Sequence, residues 1–203
     1  MKLFLLGATG GIGRHFVRLA LERGHDVTAF ARSPEKAGPP HPRLHAVRGD
    51  LFSAGPMAEA LRGHDAVVST FGPTTLRAST QRRGFGRALA SALREGGVDR
   101  VQVISSGLLF PGLGLVPRLL KATLFRVMLP DMAAMEAEVM QDDLDWTVVR
   151  PPRLTDRPAT QPCRAADGRL PTGMYAAREG VARFLLEEAE APRHRKQIVG
   201  LGD

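Results

Sequence analysis

Four glycines fall within the seven residues GATGGIG, Gly7 to Gly13, directly after the apolar run KLFLL and directly before RHFVRLALER. Gly7, Gly10 and Gly13 make G-x-x-G-x-x-G, which has one residue more in its first gap than the commoner G-x-G-x-x-G. A turn without Cβ atoms lets an anion reach backbone N–H groups, and a helix that starts there adds the positive end of its dipole. The chemistry that suits such a loop is the grip on a dinucleotide's diphosphate, through Gly7, Thr9, Gly10, Gly11, Ile12 and Gly13. A glycine-rich turn with no ligand is the plainer alternative.

A second group of residues says which dinucleotide is expected. Chains that bind a ribose 2′-hydroxyl usually offer Asp or Glu about 20 residues beyond the glycines, at the end of the second strand. This sequence has Arg32 there, followed by Ser33 and Lys36. A guanidinium holds a 2′-phosphate by charge-assisted bonds and stacks on adenine, so NADP(H) is favoured over NAD(H), against a solvated loop arginine as the bland reading. In GDL, Asp50 is placed either to accept from the adenine amino group, beside Leu51, or to cap the turn that follows. Thr70, Phe71 and Gly72 end the fourth apolar run, where the backbone is expected to pass beneath the ribose and diphosphate.

The remaining reactive side chains are less organised. His15, His25, His41, His45, His64 and His194 lie on different segments without ligand-type spacing, so no metal site is expected and exposed structural roles are. Cys163 is the single cysteine, which excludes an intramolecular disulfide and fits a reducing cytoplasm. Met128, Met132, Met135 and Met140 either border a flat, adaptable apolar pocket or belong to ordinary core packing.

The elements that must position these residues are legible as alternating apolar and helical stretches. Strands are expected at Lys2–Leu6, Asp26–Ala31, Leu44–Val47, Ala66–Ser69, Val101–Ile104 and Trp146–Val149, with Gln197–Val199 as a late edge strand. Helices are expected at Ile12–Arg23, Gly55–Leu61, Arg83–Glu95, Met132–Gln141 and Glu179–Glu188; in the first, Ile12, Phe16, Leu19 and Ala20 fall at core-facing spacing. Short, fully apolar strands suit a sheet covered on both faces. The expected fold is a doubly wound, Rossmann-like α/β domain with a parallel sheet, one domain over 1–203. The proline-rich Ser33–Arg43 is expected as a surface loop, and Pro151–Met174, which loses periodicity, as a substrate-side excursion.

Bulk properties bound the partners. The 203 residues carry a formal charge of +7, but bases are scattered among acids without a nucleic-acid signature, so a polyanionic small molecule is the more economical partner. No secretory signal is visible, and the apolar stretch 108–130 is broken by Pro111, Pro117, Arg118, Lys121 and Arg126, so no membrane span is expected. Within 116–128, Val116, Leu119, Leu120, Thr123, Leu124, Val127 and Met128 recur at helical spacing with Arg118, Lys121 and Arg126 off the stripe. That segment suits a lid over substrate, and otherwise a membrane-surface helix or a dimer seam. A monomer or a homodimer accommodates these features.

GATGGIG, the Arg32 terminus, GDL at 49–51, VISSG at 103–107, WTVVRPPRLTD at 146–156 and the late YAAREGVARFLLE together resemble the atypical short-chain dehydrogenase/reductases with an NAD(P)H-binding domain. Within that group the sequence is most similar to the flavin reductase, or biliverdin-IXβ reductase, family. The resemblance implies NADPH-dependent reduction of flavins or linear tetrapyrroles. It implies an active-site serine at Ser106 beside the nicotinamide, with Ser105 next to it, and a cofactor-holding backbone at Pro151, Pro152 and Leu154. Where the biliverdin reductases carry a histidine after the double proline this chain has Arg153, which either meets an anionic substrate group or pairs with Asp156 or Asp131.

The ordinary short-chain dehydrogenases use a Tyr-x-x-x-Lys pair to shuttle a proton. Here the single tyrosine, Tyr175, is followed four residues later by Glu179, and the usual places fall near Met128 and Met132. Hydride delivery to a conjugated planar acceptor needs positioning more than a tuned acid, and is the expected activity. A redox sensor resembling the NmrA-like proteins, which binds NADP(H) without turnover, is the alternative from another class; a biosynthetic reductase or an epimerase is the third.

Overall fold

Leu3 and Leu5 sit on one face of the first strand, Phe4 and Leu6 on the other, and all four are fully buried, which calls for helices on both sides of the sheet. The computed structural model describes residues 1–72, 81–115, 119, 122, 123 and 125–203. The strands are β1 (Lys2–Leu6), β2 (Asp26–Ala31), β3 (Leu44–Arg48), β4 (Ala66–Ser69), β5 (Arg100–Ile104), β6 (Asp145–Arg150), β7 (Arg153–Thr155), β8 (Arg164–Asp167), β9 (Tyr175–Ala177) and β10 (Gln197–Gly202). Among the described residues the α-helices are α1 (Gly11–Glu22), α2 (Ala54–Leu61), α3 (Gln81–Gly96), α4 (Met128–Val139) and α5 (Arg178–Glu190).

The main sheet runs β3-β2-β1-β4-β5-β6-β10-β8, parallel throughout except for β8. The order reverses direction between β1 and β4, where a doubly wound sheet opens a crevice outside the carboxyl ends of its strands. Leu3, Leu5 and Val68 pack under α1 and α5, against residues such as Phe16 and Leu185. Phe4, Leu6 and Val67 pack under α2, α3 and α4, against Met57, Phe85 and Met135.

Three expectations are corrected. Gln197–Val199 is the start of an inner strand, not an edge: β10 pairs parallel with β6 on one side and antiparallel with β8 on the other. The excursion 151–174 is only partly irregular, since it supplies the edge strand β8 and also β7, which pairs with β9 in a separate two-stranded sheet. β8 reads RAAD and is mostly exposed, so it never needed the apolar run by which inner strands are recognised. The fourth helix in the sequence pattern starts at Met128, not Met132, because Leu129 also finds cover in the interior.

The histidines differ from expectation too. His25 is buried with Nε2 at 2.7 Å from Glu190, His64 meets Thr28 Oγ1 at 2.8 Å, and His194 Nδ1 lies 2.8 Å from Glu188. Among the described residues no group of three or more His, Cys, Asp or Glu is arranged to hold a metal ion. No helix among them is long and apolar enough to cross a membrane. Of the amphipathic stretch 116–128, Val116, Arg118, Leu120, Lys121 and Leu124 lie outside the described residues.

Candidate active site

The glycine loop is built by two tight approaches. Gly7 has φ +84°, in the left-handed region, and a Cβ there would stand 2.8 Å from the Phe71 nitrogen. Gly13 comes so near that a Cβ would lie 2.2 Å from the Gly7 carbonyl oxygen. The loop is closed by Gly10 N–H donating to Gly7 O at 3.0 Å. Thr70 Oγ1 fastens it to β4 by donating to the carbonyls of Leu6 and Gly7, each at 3.1 Å. Gly10 is the N-cap of α1 and brings no capping side chain, and the first turn has no acid. The leading amides of α1 thus form a cationic nest open to an anion.

A cavity of about 600 Å³ lies directly over this nest. Its floor is made where strands end: Thr70, Phe71 and Gly72 after β4, Ser105 and Ser106 after β5, Pro151 and Pro152 after β6. Gly10, Gly11 and Ile12 form one side. The rest of the lining is largely apolar, with Ile104, Phe125, Met128, Met132 and Met135, and Leu154 comes from β7. Three of the four methionines therefore border the cavity, although Met132 and Met135 are at the same time buried in the packing. Met140 does not line it.

The two serines differ. Ser106 Oγ accepts from Leu108 N–H at 3.3 Å, at the cap of a short 3-10 turn over Gly107–Leu109. That bond uses an acceptor position and leaves the hydroxyl proton for another partner. Ser105 donates its backbone N–H to Val149 O at 2.8 Å, and its buried Oγ has no partner among the described residues.

Two arginines line the cavity that the sequence pattern did not single out. Arg178, the first residue of α5, lies over the glycine loop: a Cβ on Gly11 would stand 2.6 Å from its Cδ. Its guanidinium reaches Asp156 at 2.8 Å. Arg82, in the first turn of α3, is 5% exposed. Burial pushes its guanidinium below the ordinary arginine value, and nearby Asp131 offsets this only in part.

Other expected site residues stand elsewhere. Arg32, exposed, follows β2, the strand beside β1, and Ser33 and Lys36 belong to the next turn. Asp50 Oδ1 accepts from Phe52 N–H at 3.2 Å, so it does cap its own turn, and Leu51 packs into the core under α2 and α3. Arg153 is exposed on β7 and is not among the residues that line the cavity. Neither carboxylate proposed for it is its partner: Asp156 pairs with Arg178, and Asp131 with Arg82. In β7 Arg153 is exposed, while Leu154 is half-buried and lines the cavity.

Comparison with known proteins agrees with this geometry. A family model described as NAD(P)H-binding matches residues 7–192. The chain is 31% identical over 111 residues to the 3-beta-hydroxysteroid dehydrogenase of Mycolicibacterium neoaurum, and the match spans 49% of this chain but 30% of that longer protein. The anaerobillin reductase ChuY of Escherichia coli O157:H7 superimposes with a TM-score of 0.81 at 24% identity, over 100% of this chain and 97% of that one. A wide-type short-chain dehydrogenase/reductase of Veillonella parvula, solved in complex with NADP, gives 0.83 at 18% identity, over 100% and 94%. With the glycine nest, the strand order and the match over 7–192 together, the chain belongs to the NAD(P)H-binding family, and its fold is the Rossmann fold.

Proposed function

We propose that this chain is an NADPH-dependent oxidoreductase that reduces a flavin-like or other planar conjugated acceptor without a Tyr-Lys proton pair. The observation that carries the reading is that Met128, Met132 and Met135 line the same cavity as the nest residues Gly10, Gly11 and Ile12. A flat, polarisable wall suits a ring system, and Met128 and Met132 carry no titratable proton.

The residues present fit the coenzyme, since the start of α1 carries no capping side chain and no acid in its first turn, and Gly10, Gly11 and Ile12 line the cavity. Gly10, Gly11 and Ile12 hold the diphosphate by their amides, and Arg178, already lying over Gly11, adds a cation to the same anion. Arg32, with Ser33 and Lys36, meets the 2′-phosphate, and Asp50 and Leu51 border the adenine. Thr70, Phe71 and Gly72 pass beneath the ribose, while Pro151, Pro152 and Leu154 hold the carboxamide end. When bound, the reduced nicotinamide supplies a hydride, and the acceptor completes its two-electron reduction with a proton from solvent. Ser106 retains a free hydroxyl proton with which to orient the acceptor or the carboxamide, and Ser105 offers a second donor beside it.

The test is NADPH oxidation with FMN, riboflavin, biliverdin and quinones offered in turn, for the native chain and for Ser106→Ala. Turnover of at least one acceptor, slowed by about tenfold or more in the variant, is the expected result. Tight binding of NADP+ and NADPH without turnover of any acceptor would instead make the chain a redox sensor.

A further inference from the structure

Among the described residues, Arg82 is a buried cation short of partners. Its backbone N–H and that of Arg83 donate to Asp131, at 3.0 and 3.1 Å, so that carboxylate caps the start of α3. The Arg82 side chain approaches the same carboxylate only at 3.7 Å, beyond hydrogen-bonding distance. Its Nε is buried with no partner among the described residues, and no described residue accepts a hydrogen bond from the rest of the guanidinium. A charged group 5% exposed, whose Nε is buried without a partner among the described residues, is costly unless something else completes its shell.

The cavity is where that completion can come from, because Arg82 lines it together with the methionines of α4. Asp131 sits between Leu129 and Met132 on that helix, so the element that half-neutralises Arg82 also presents the apolar wall. Ser105, likewise buried and without a partner for its hydroxyl, lines the same space. Two buried polar side chains without partners among the described residues on one cavity are unusual in a folded protein, and point to a ligand that supplies acceptor atoms.

We infer that Arg82 is the specificity-determining residue for the acceptor: it binds a carboxylate carried on the acceptor's ring, whose flat face rests on Met128, Met132 and Met135. A carboxylate matches the planar guanidinium fork, and Ser105 Oγ is the second donor open to the same ligand. The inference rests on the reductase reading for the identity of the ligand as an acceptor, but binding is measurable without turnover.

The experiment is calorimetric titration of the NADP+-saturated chain with anthraquinone-2-carboxylate and, separately, with its neutral isostere anthraquinone-2-carboxamide. The carboxylate is expected to bind about tenfold more tightly, a difference that Arg82→Gln abolishes and Arg82→Lys partly restores. Equal binding of the two probes by the native chain overturns the inference, and needs no variant to fold. A preference that survives in folded Arg82→Gln overturns it as well. NADPH oxidation by the same two quinones is followed in parallel: selective binding without oxidation defeats the reductase reading alone, and oxidation without selectivity defeats only the role of Arg82.

Discussion

Arg150, the last residue of β6, grips Glu136 of α4 through two bonds, Nε to Oε1 at 2.9 Å and Nη2 to Oε2 at 2.5 Å. Its guanidinium also lies 5.0 Å from the centroid of the Phe110 ring. Met132 and Met135 stand on the same helix as Glu136, so this pair sets the apolar wall against the carboxyl ends of the strands. Glu136 is 1% exposed, and removing its carboxylate leaves a buried guanidinium uncompensated. Glu136→Ala is expected to lower stability by about 3–5 kcal/mol, measured by urea unfolding. A loss below about 1 kcal/mol would mean that packing alone holds α4.

At the coenzyme's other end, Arg32 is exposed and makes no ion pair among the described residues. Replacing it by Glu sets a carboxylate against a 2′-phosphate, while a 2′-hydroxyl gains an acceptor. Calorimetry on Arg32→Glu is expected to show NADPH weakened about tenfold or more with NADH little changed. Equal losses for the two nucleotides would remove Arg32 from the site.

Gly13 and Gly10 separate folding from binding. A methyl on Gly13 would stand 2.2 Å from the Gly7 carbonyl oxygen, whereas one on Gly10 would stand 3.3 Å from it. Gly13→Ala is expected to cost about 1–3 kcal/mol of stability, because backbone must shift. Gly10→Ala is expected to unfold near the native midpoint while losing nucleotide affinity. Similar midpoints for both variants would contradict the loop geometry.

Gln102, in the middle of β5, is fully buried, and neither atom of its amide has a partner among the described residues. An apolar side chain of similar length removes that penalty. Gln102→Met is expected to raise stability by about 1–2 kcal/mol, read as a higher Tm. A lower Tm would show that the amide is satisfied in solution.

Cys163 packs against Gly180 and lies 3.6 Å from Asp203 Oδ1. Burial, with the Asp203 carboxylate second, pushes its thiol from 9.0 to about 12. Since the thiolate is the nucleophile, alkylation of the folded chain is expected to be slow at mildly alkaline pH and to become fast in denaturant. The folded state holds this proton more tightly than the unfolded one. The associated stability is therefore complete below about pH 9 and is lost as pH rises towards about 12. Alkylation in native buffer at the denatured rate would contradict the burial.

The glycine loop was legible in the chain, because it depends on local physics. A loop that needs φ > 0 at Gly7 and no Cβ at Gly13 shows itself as glycine spacing. The inner strands show themselves as apolar runs because both faces of the sheet are covered. Edge strand β8 escaped notice because an exposed strand is free of that constraint. Arg153 was expected at the cavity but is exposed on β7, a strand whose place depends on pairing with the distant β9. The two cavity arginines gave no signal, since nothing in the types or spacing of Arg82 and Arg178 marks them out among the chain's basic residues.

By itself, then, the sequence determined the alternation of strands and helices, the anion nest at the start of α1 and the basic residues after β2. Tertiary structure alone decided what faces that nest. Arg82 and Asp131 are 49 residues apart and meet only because α3 crosses α4, and Arg178 covers Gly11 only because α5 packs beside α1. Periodicity and backbone conformation are properties of neighbouring residues, whereas the choice of which buried charge is paired and which is left facing a cavity depends on how distant helices dock on the sheet.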